Sequence, residues 1–123
     1  MTIQIKSWKV LKGMLVVPFH PKMVALAMWV AERYSNVVFT SAYRPKKIHD
    51  KDSGIHSTKP CRAIDIRSFI YDNPQKVVND INKHWVYDLR RPYLQCAVLH
   101  DTGEGRHIHL QTHNNTQYLE EGE

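Results

Sequence analysis

Four of the eight histidines of this 123-residue chain, His100, His107, His109 and His113, fall in its last quarter, and two of them frame the triplet His107-Ile108-His109. Successive side chains of a β-strand alternate between faces, so His107 and His109 stand side by side while Ile108 turns into a core. Such a pair is either a surface feature or half of a metal site, and the triplet alone does not choose. His56 and Asp65 favour the metal, because imidazole nitrogen and carboxylate oxygen are ligands that zinc accepts. Three protein ligands leave a fourth tetrahedral position for water, the arrangement of a catalytic centre. The expected cofactor is one Zn²⁺ per chain.

The elements that must position these residues can be read from periodicity. Pro21 to Tyr34 carries Val24, Leu26, Ala27, Met28, Val30 and Ala31 at helical spacing, behind a proline suited to the first turn. Asn36 then precedes VVFTSAY, a β-branched and aromatic run that reads as a strand ending at Arg44-Pro45. Residues 45–60 are polar, charged and broken by Pro and Gly, which predicts a loop. RAIDIRS alternates and predicts a half-buried strand with Asp65 on its polar face. Asp72-Asn73 offers a cap for a second amphipathic helix, Pro74 to Trp85, with Val77, Val78, Ile81 and Trp85 inward. LQCAVLH and RHIHLQT flank DTGEG and predict a β-hairpin. A four-residue loop of Thr102 to Gly105 pairs His100 with His107, and a five-residue loop turns His100 away. The expected fold is one α+β domain over residues 1–123, a small antiparallel sheet carrying the zinc site and flanked by two or three helices.

The strings TSAYR (40–44), SGIHSTKPCRAIDIR (53–67) and RHIHLQ (106–111) resemble the three motifs of the D-Ala-D-Ala carboxypeptidase and LAS-type zinc metallopeptidases. That group cleaves peptidoglycan stem peptides and cross-links and includes the zinc-containing hedgehog signalling domain. The resemblance implies a hedgehog or DD-peptidase-like fold in which His56, Asp65 and His109 hold zinc. It implies that His107 stabilises the transition state, and that Arg44, spaced from Ser41 as in S-x-x-R, binds a substrate carboxylate. His56 and Asp65 are nine positions apart against seven in the commoner pattern, so STKPC must bulge before the strand begins. A carboxylate near the last motif serves as general base in the group, and here both Asp101 and Glu104 compete for it. Glu104, three residues before His107, also fits a Glu-x-x-His form in which His107 becomes the ligand and His109 an outer neighbour. The H-x-H form, with His109 as ligand, is preferred because LQT continues the strand. His113 and His49 are read as solvated or as outer neighbours of the site.

Composition bounds the rest. Seventeen basic against twelve acidic residues, a net charge of +5, fit a polyanionic partner. The basic residues are scattered, with no helix-turn-helix or aromatic-plus-basic sheet motif, so nucleic acid is not the expected partner. No apolar run reaches the roughly 18 residues of a membrane span, and no membrane partner is expected. The apolar stretch Met14 to Phe19 lacks a small-residue cleavage pattern, which predicts no signal peptide. Together with the resemblance, this points to a monomeric, phage- or prophage-type lytic enzyme made in the cytoplasm. It would reach peptidoglycan at lysis, on a virion, or by another route of export. Cys61 and Cys96 lack C-x-x-C spacing and are read as buried free thiols. The competing function is a non-catalytic zinc-binding module of the same fold, acting in protein interaction.

Overall fold

Pro21 starts the central helix because its fixed φ suits the first turn and its missing N–H is no loss there. Just before it, His20 caps the helix, its Nδ1 accepting from the Lys22 N–H at 3.1 Å. The helix ends where Ser35 turns left-handed at φ 57°. The computed structural model describes residues 1–46, 53–101 and 105–119. In chain order they form β1 (Thr2–Ile5), α1 (Trp8–Leu15), α2 (Pro21–Tyr34), β2 (Asn36–Ser41), a 3-10 turn (Ile55–Ser57), β3 (Ala63–Arg67) and α3 (Pro74–His84). There follow β4 (Trp85–Val86), β5 (Ala97–Asp101), β6 (Arg106–Gln111) and β7 (Gln117–Tyr118).

The fold is α+β, with three helices, a five-stranded sheet ordered β1-β2-β3-β6-β5 and a two-stranded sheet of β4 and β7. The large sheet is mixed and not wholly antiparallel, because β1 pairs with β2 in parallel. The chain between them contains α1 and α2, the long crossover that parallel neighbours require. The remaining pairs, β2 with β3, β3 with β6 and β6 with β5, are antiparallel as expected.

Buried residues Met23, Leu26, Val30 and Ala31 of α2 and Val77, Val78 and Ile81 of α3 share one core with Val37, Phe39, Ile64, Ile66, Ile108 and Leu110 of the sheet. Two details depart from the sequence reading. Val24 and Met28 face outward while Met23 is buried, and α3 stops at His84 because Trp85 begins β4. Cys61 and Cys96 are free and fully buried, and burial pushes both thiols up, Cys96 to about 12. No helix among the described residues is long and apolar enough to cross a membrane.

This core pins the register of the sheet. A slip of β6 by one residue would expose Ile108 and Leu110, at about 1.5–3 kcal/mol for each. It would also bury His107 and His109 in apolar surroundings. The apolar face therefore holds the imidazoles on the opposite one.

Candidate metal centre

On the face away from the core, strand pairing sets three rows. Ala63 lies beside Gln111, Asp65 beside His109 and then Val98, and Arg67 beside His107 and then His100. The four-residue arrangement of the hairpin is the one adopted, with His100 in register with His107. Strand β3 is buried on both faces and not half-buried, since it lies between β2 and β6 with the His56 turn over it. Asp65 is consequently only 5% exposed.

His56 arrives on the 3-10 turn, which Gly54 opens at φ 87°, a conformation that favours glycine. The irregular segment between the turn and β3 is held in place from both sides. Thr58 Oγ1 donates to the Ile55 carbonyl at 2.9 Å and accepts from the Arg62 N–H at 3.0 Å. The Cys61 N–H donates to the Pro18 carbonyl, and the His20 N–H to the Cys61 carbonyl, both at 2.9 Å. The nine-residue spacing of His56 and Asp65 is absorbed here.

The hydrogen bonds around each imidazole assign its proton. His56 Nδ1 lies 2.9 Å from the Ala42 carbonyl oxygen, which can only accept, so Nδ1 carries the hydrogen and Nε2 keeps its lone pair. That lone pair faces Asp65 Oδ1 at 3.1 Å. His109 Nε2 lies 3.0 Å from Gln111 Oε1, whose amide is oriented by donation from its Nε2 to the Gln95 carbonyl at 2.8 Å. His109 Nε2 is therefore the donor, and its Nδ1 lone pair faces Asp65 Oδ1 at 2.9 Å.

Two nitrogen lone pairs thus converge on one carboxylate oxygen, an arrangement that calls for a cation or an extra proton between them. The three ligand atoms lie within 4.8 Å of one another, and His56 and His109 are 2% and 7% exposed. Ligands about 2.0–2.2 Å from a tetrahedral zinc are spaced by roughly 3.3 Å, close to these separations. Outward N–H groups tied to oxygen acceptors are also what orients histidine ligands. The donor set fits the ion. Burial raises the Asp65 carboxyl, and His109 and His56 hold it well below the usual carboxylate range only when their inner nitrogens carry protons; in the neutral tautomers a cation has to take the place of those protons.

His107 stands at the edge of this triad, its Nε2 3.5 Å from Asp65 Oδ2 and its side chain 18% exposed. Its ring is 4.6 Å from that of His100, which also lies 5.4 Å from His109. Burial, then the neighbouring His107 and His109, push His100 down to about 4, so it is neutral at pH 7. Arg44 follows the end of β2, where its Nη1 donates to Ser41 Oγ at 3.2 Å and its backbone N–H to the His56 carbonyl at 2.9 Å.

Ser41, Arg44, His56, Asp65, His107 and His109 all line one cleft of about 1210 Å³, with α1 contributing a wall. The helix comes close because Gly13 has no side chain: its carbonyl accepts from the Tyr43 N–H at 3.2 Å.

The structure does not bring Asp101 to the imidazoles. It pairs with Arg106, one residue out of step with the row of His100 and His107, and is not among the residues lining the cleft. Glu104 and His49 lie outside the described residues. His113 is held elsewhere, its Nδ1 accepting from the Asn115 N–H at 3.2 Å and its ring 5.8 Å from that of Tyr87. Gln111 and the Ala42 carbonyl, which orient the two histidines, were not foreseen. Gln111 does carry a signal, since it follows His109 by two positions on one strand face. No protein-family model, curated protein or solved structure matches this chain.

Proposed function

We propose that this chain is a zinc-dependent peptidase acting on the peptides of bacterial peptidoglycan, as a D,D-carboxypeptidase or endopeptidase of endolysin type. The observation that supports it most is the convergence of the His56 and His109 lone pairs on Asp65 at the floor of an open cleft. A structural metal site is closed by four protein ligands, whereas three beneath a cleft leave room for substrate. This favours a catalyst over a zinc module that serves only protein interaction. The motif resemblance of residues 40–44, 53–67 and 106–111 supplies the substrate class.

Zinc held by His56, Asp65 and His109 would supply Lewis-acid polarisation of a scissile carbonyl and a water of lowered pKa. The Ala42 carbonyl and Gln111 keep both imidazoles in the tautomer that leaves the inner nitrogen free. His107, beside the ligands and partly open to the cleft, donates a hydrogen bond to the oxyanion that develops on the carbonyl. Arg44, steadied by Ser41, takes a substrate carboxylate through its guanidinium fork. Of the two carboxylates suggested as general base, Asp101 faces away from the row of imidazoles, and Glu104 rests on the sequence alone.

The test combines metal analysis with digestion of purified peptidoglycan, with and without chelator, and mass spectrometry of the products. One zinc per chain and chelator-sensitive release of peptides are expected. His109→Ala should lose metal and activity together, whereas His107→Ala should keep the metal and lose rate. A His109→Ala protein that still binds one zinc and cleaves normally would overturn the ligand assignment.

A further inference from the structure

Among the described residues lining the cleft, seven lysine and arginine side chains face a single carboxylate, Asp65, which the metal site already uses. Arg44 accounts for one anion. Arg67 is placed differently. It lies on β3 two residues beyond Asp65, on the same face and in register with His107. Strand β2 runs antiparallel to β3 with Ser41 beside Asp65, so the chain leading on to Arg44 heads toward the Ala63 end. Arg67 lies toward the other end of β3, on the side of Asp65 away from the segment that carries Arg44.

Arg67 has no hydrogen-bond or ion-pair partner among the described residues. Its partner is the ring of Phe69, 5.0 Å from its guanidinium carbon, and Phe69 itself is 75% exposed at the cleft. The neighbouring carboxylate is already engaged, because the oxygens of Asp65 face His56, His109 and His107. Stacking on an aromatic face restrains a guanidinium without using its N–H donors. The result is a positioned cation whose donors remain available to a ligand.

We propose that Arg67, held against Phe69, is a second anion-binding group of the cleft, and that the preferred substrate is a peptide bearing a carboxylate on each side of the bond that is broken. This rests on the peptidase reading above. Two strand residues span about 6.6 Å, so the second carboxylate lies within roughly two residues of the scissile carbonyl.

The test uses the stem pentapeptide L-Ala-γ-D-Glu-L-Lys-D-Ala-D-Ala and the same peptide with D-Glu amidated to D-isoglutamine. Binding to the zinc-loaded protein is followed by fluorescence anisotropy of labelled peptides, alongside kcat and KM. The wild type should bind the carboxylate form about tenfold more tightly, the range of one charge-assisted pair at a partly exposed site. Arg67→Gln should erase that preference with zinc stoichiometry unchanged. Phe69→Leu should reduce it, and Arg44→Gln should weaken both peptides alike. A wild type without preference, or a preference that survives in Arg67→Gln, overturns the assignment while cleavage itself preserves the peptidase reading. Absence of zinc-dependent cleavage of either peptide removes that reading instead.

Discussion

Replacing Gln111 with Leu tests whether the outward hydrogen bonds orient the metal ligands. In the native chain Gln111 Oε1 accepts from His109 Nε2 at 3.0 Å, and its own amide is anchored to the Gln95 carbonyl at 2.8 Å. Leucine removes the acceptor at nearly constant volume. The ring proton of His109 then loses its partner and can move to Nδ1, the nitrogen that faces Asp65. Loss of such an outer partner typically weakens metal binding about 10–100-fold, equivalent to about 1.4–2.7 kcal/mol. The same range follows from leaving one buried donor unpaired, at about 1–3 kcal/mol. Competition for zinc against a chromophoric chelator at neutral pH measures it directly, with circular dichroism as the check on folding. Gln111→Glu, which keeps an acceptor at the same reach, should bind zinc at least as tightly as the native protein. A folded Gln111→Leu protein with unchanged zinc affinity would refute the orientation argument.

Two further perturbations act away from the ligands. A Cβ at Gly13 would lie 2.8 Å from the Tyr43 carbonyl oxygen and 3.3 Å from its nitrogen, both backbone atoms, so Gly13→Ala must displace α1 or the segment carrying Arg44. Overpacking of this kind costs about 1–3 kcal/mol, and the expected outcome is a lower melting temperature and a several-fold higher KM for peptide with unchanged zinc affinity. The Asp88 carboxyl is held below its usual value by the Arg90 N–H and then by Arg91 and Asn115. A depressed folded pKa lends stability that is fully present above the unfolded value of about 3.9 and is lost as pH falls through the lower folded value. Asp88→Asn should therefore flatten the loss of stability below about pH 4, measured as urea midpoints at pH 6 and pH 3.

The long periodic segments were legible because their signal is local. Helix α2 spans the residues its spacing predicts, and α3 differs by one at its end. The hairpin was legible too, but its register was not: the sequence left two loop lengths open, and only the structure selects the one that pairs His100 with His107. What escaped depends on distant partners. Strand β1 is four exposed residues that gain strand character only beside β2, and α1 sits where Gly13 meets Tyr43, thirty positions away. At the site, His56, Asp65 and His109 declare themselves by residue type, but the Ala42 carbonyl has no side-chain signature. Asp101 shows how one rule settles two residues. The alternation that turns His100 toward His107 carries Asp101 to the Arg106 row.

The separations of the ligands along the chain bear on the order of assembly. His56 and Asp65 are nine positions apart, but Asp65 and His109 are separated by 44 and meet only because β3 and β6 are neighbours at the centre of the sheet. The three side chains come together only when β3 and β6 are paired, so the candidate site exists only in the folded sheet. The apolar core lies on the opposite face of the same strands and contains none of the three ligands. On the proposed reading folding would precede loading, and the expected outcome is a cooperative unfolding transition that persists in chelator, unlike small zinc domains that fold only around their ion.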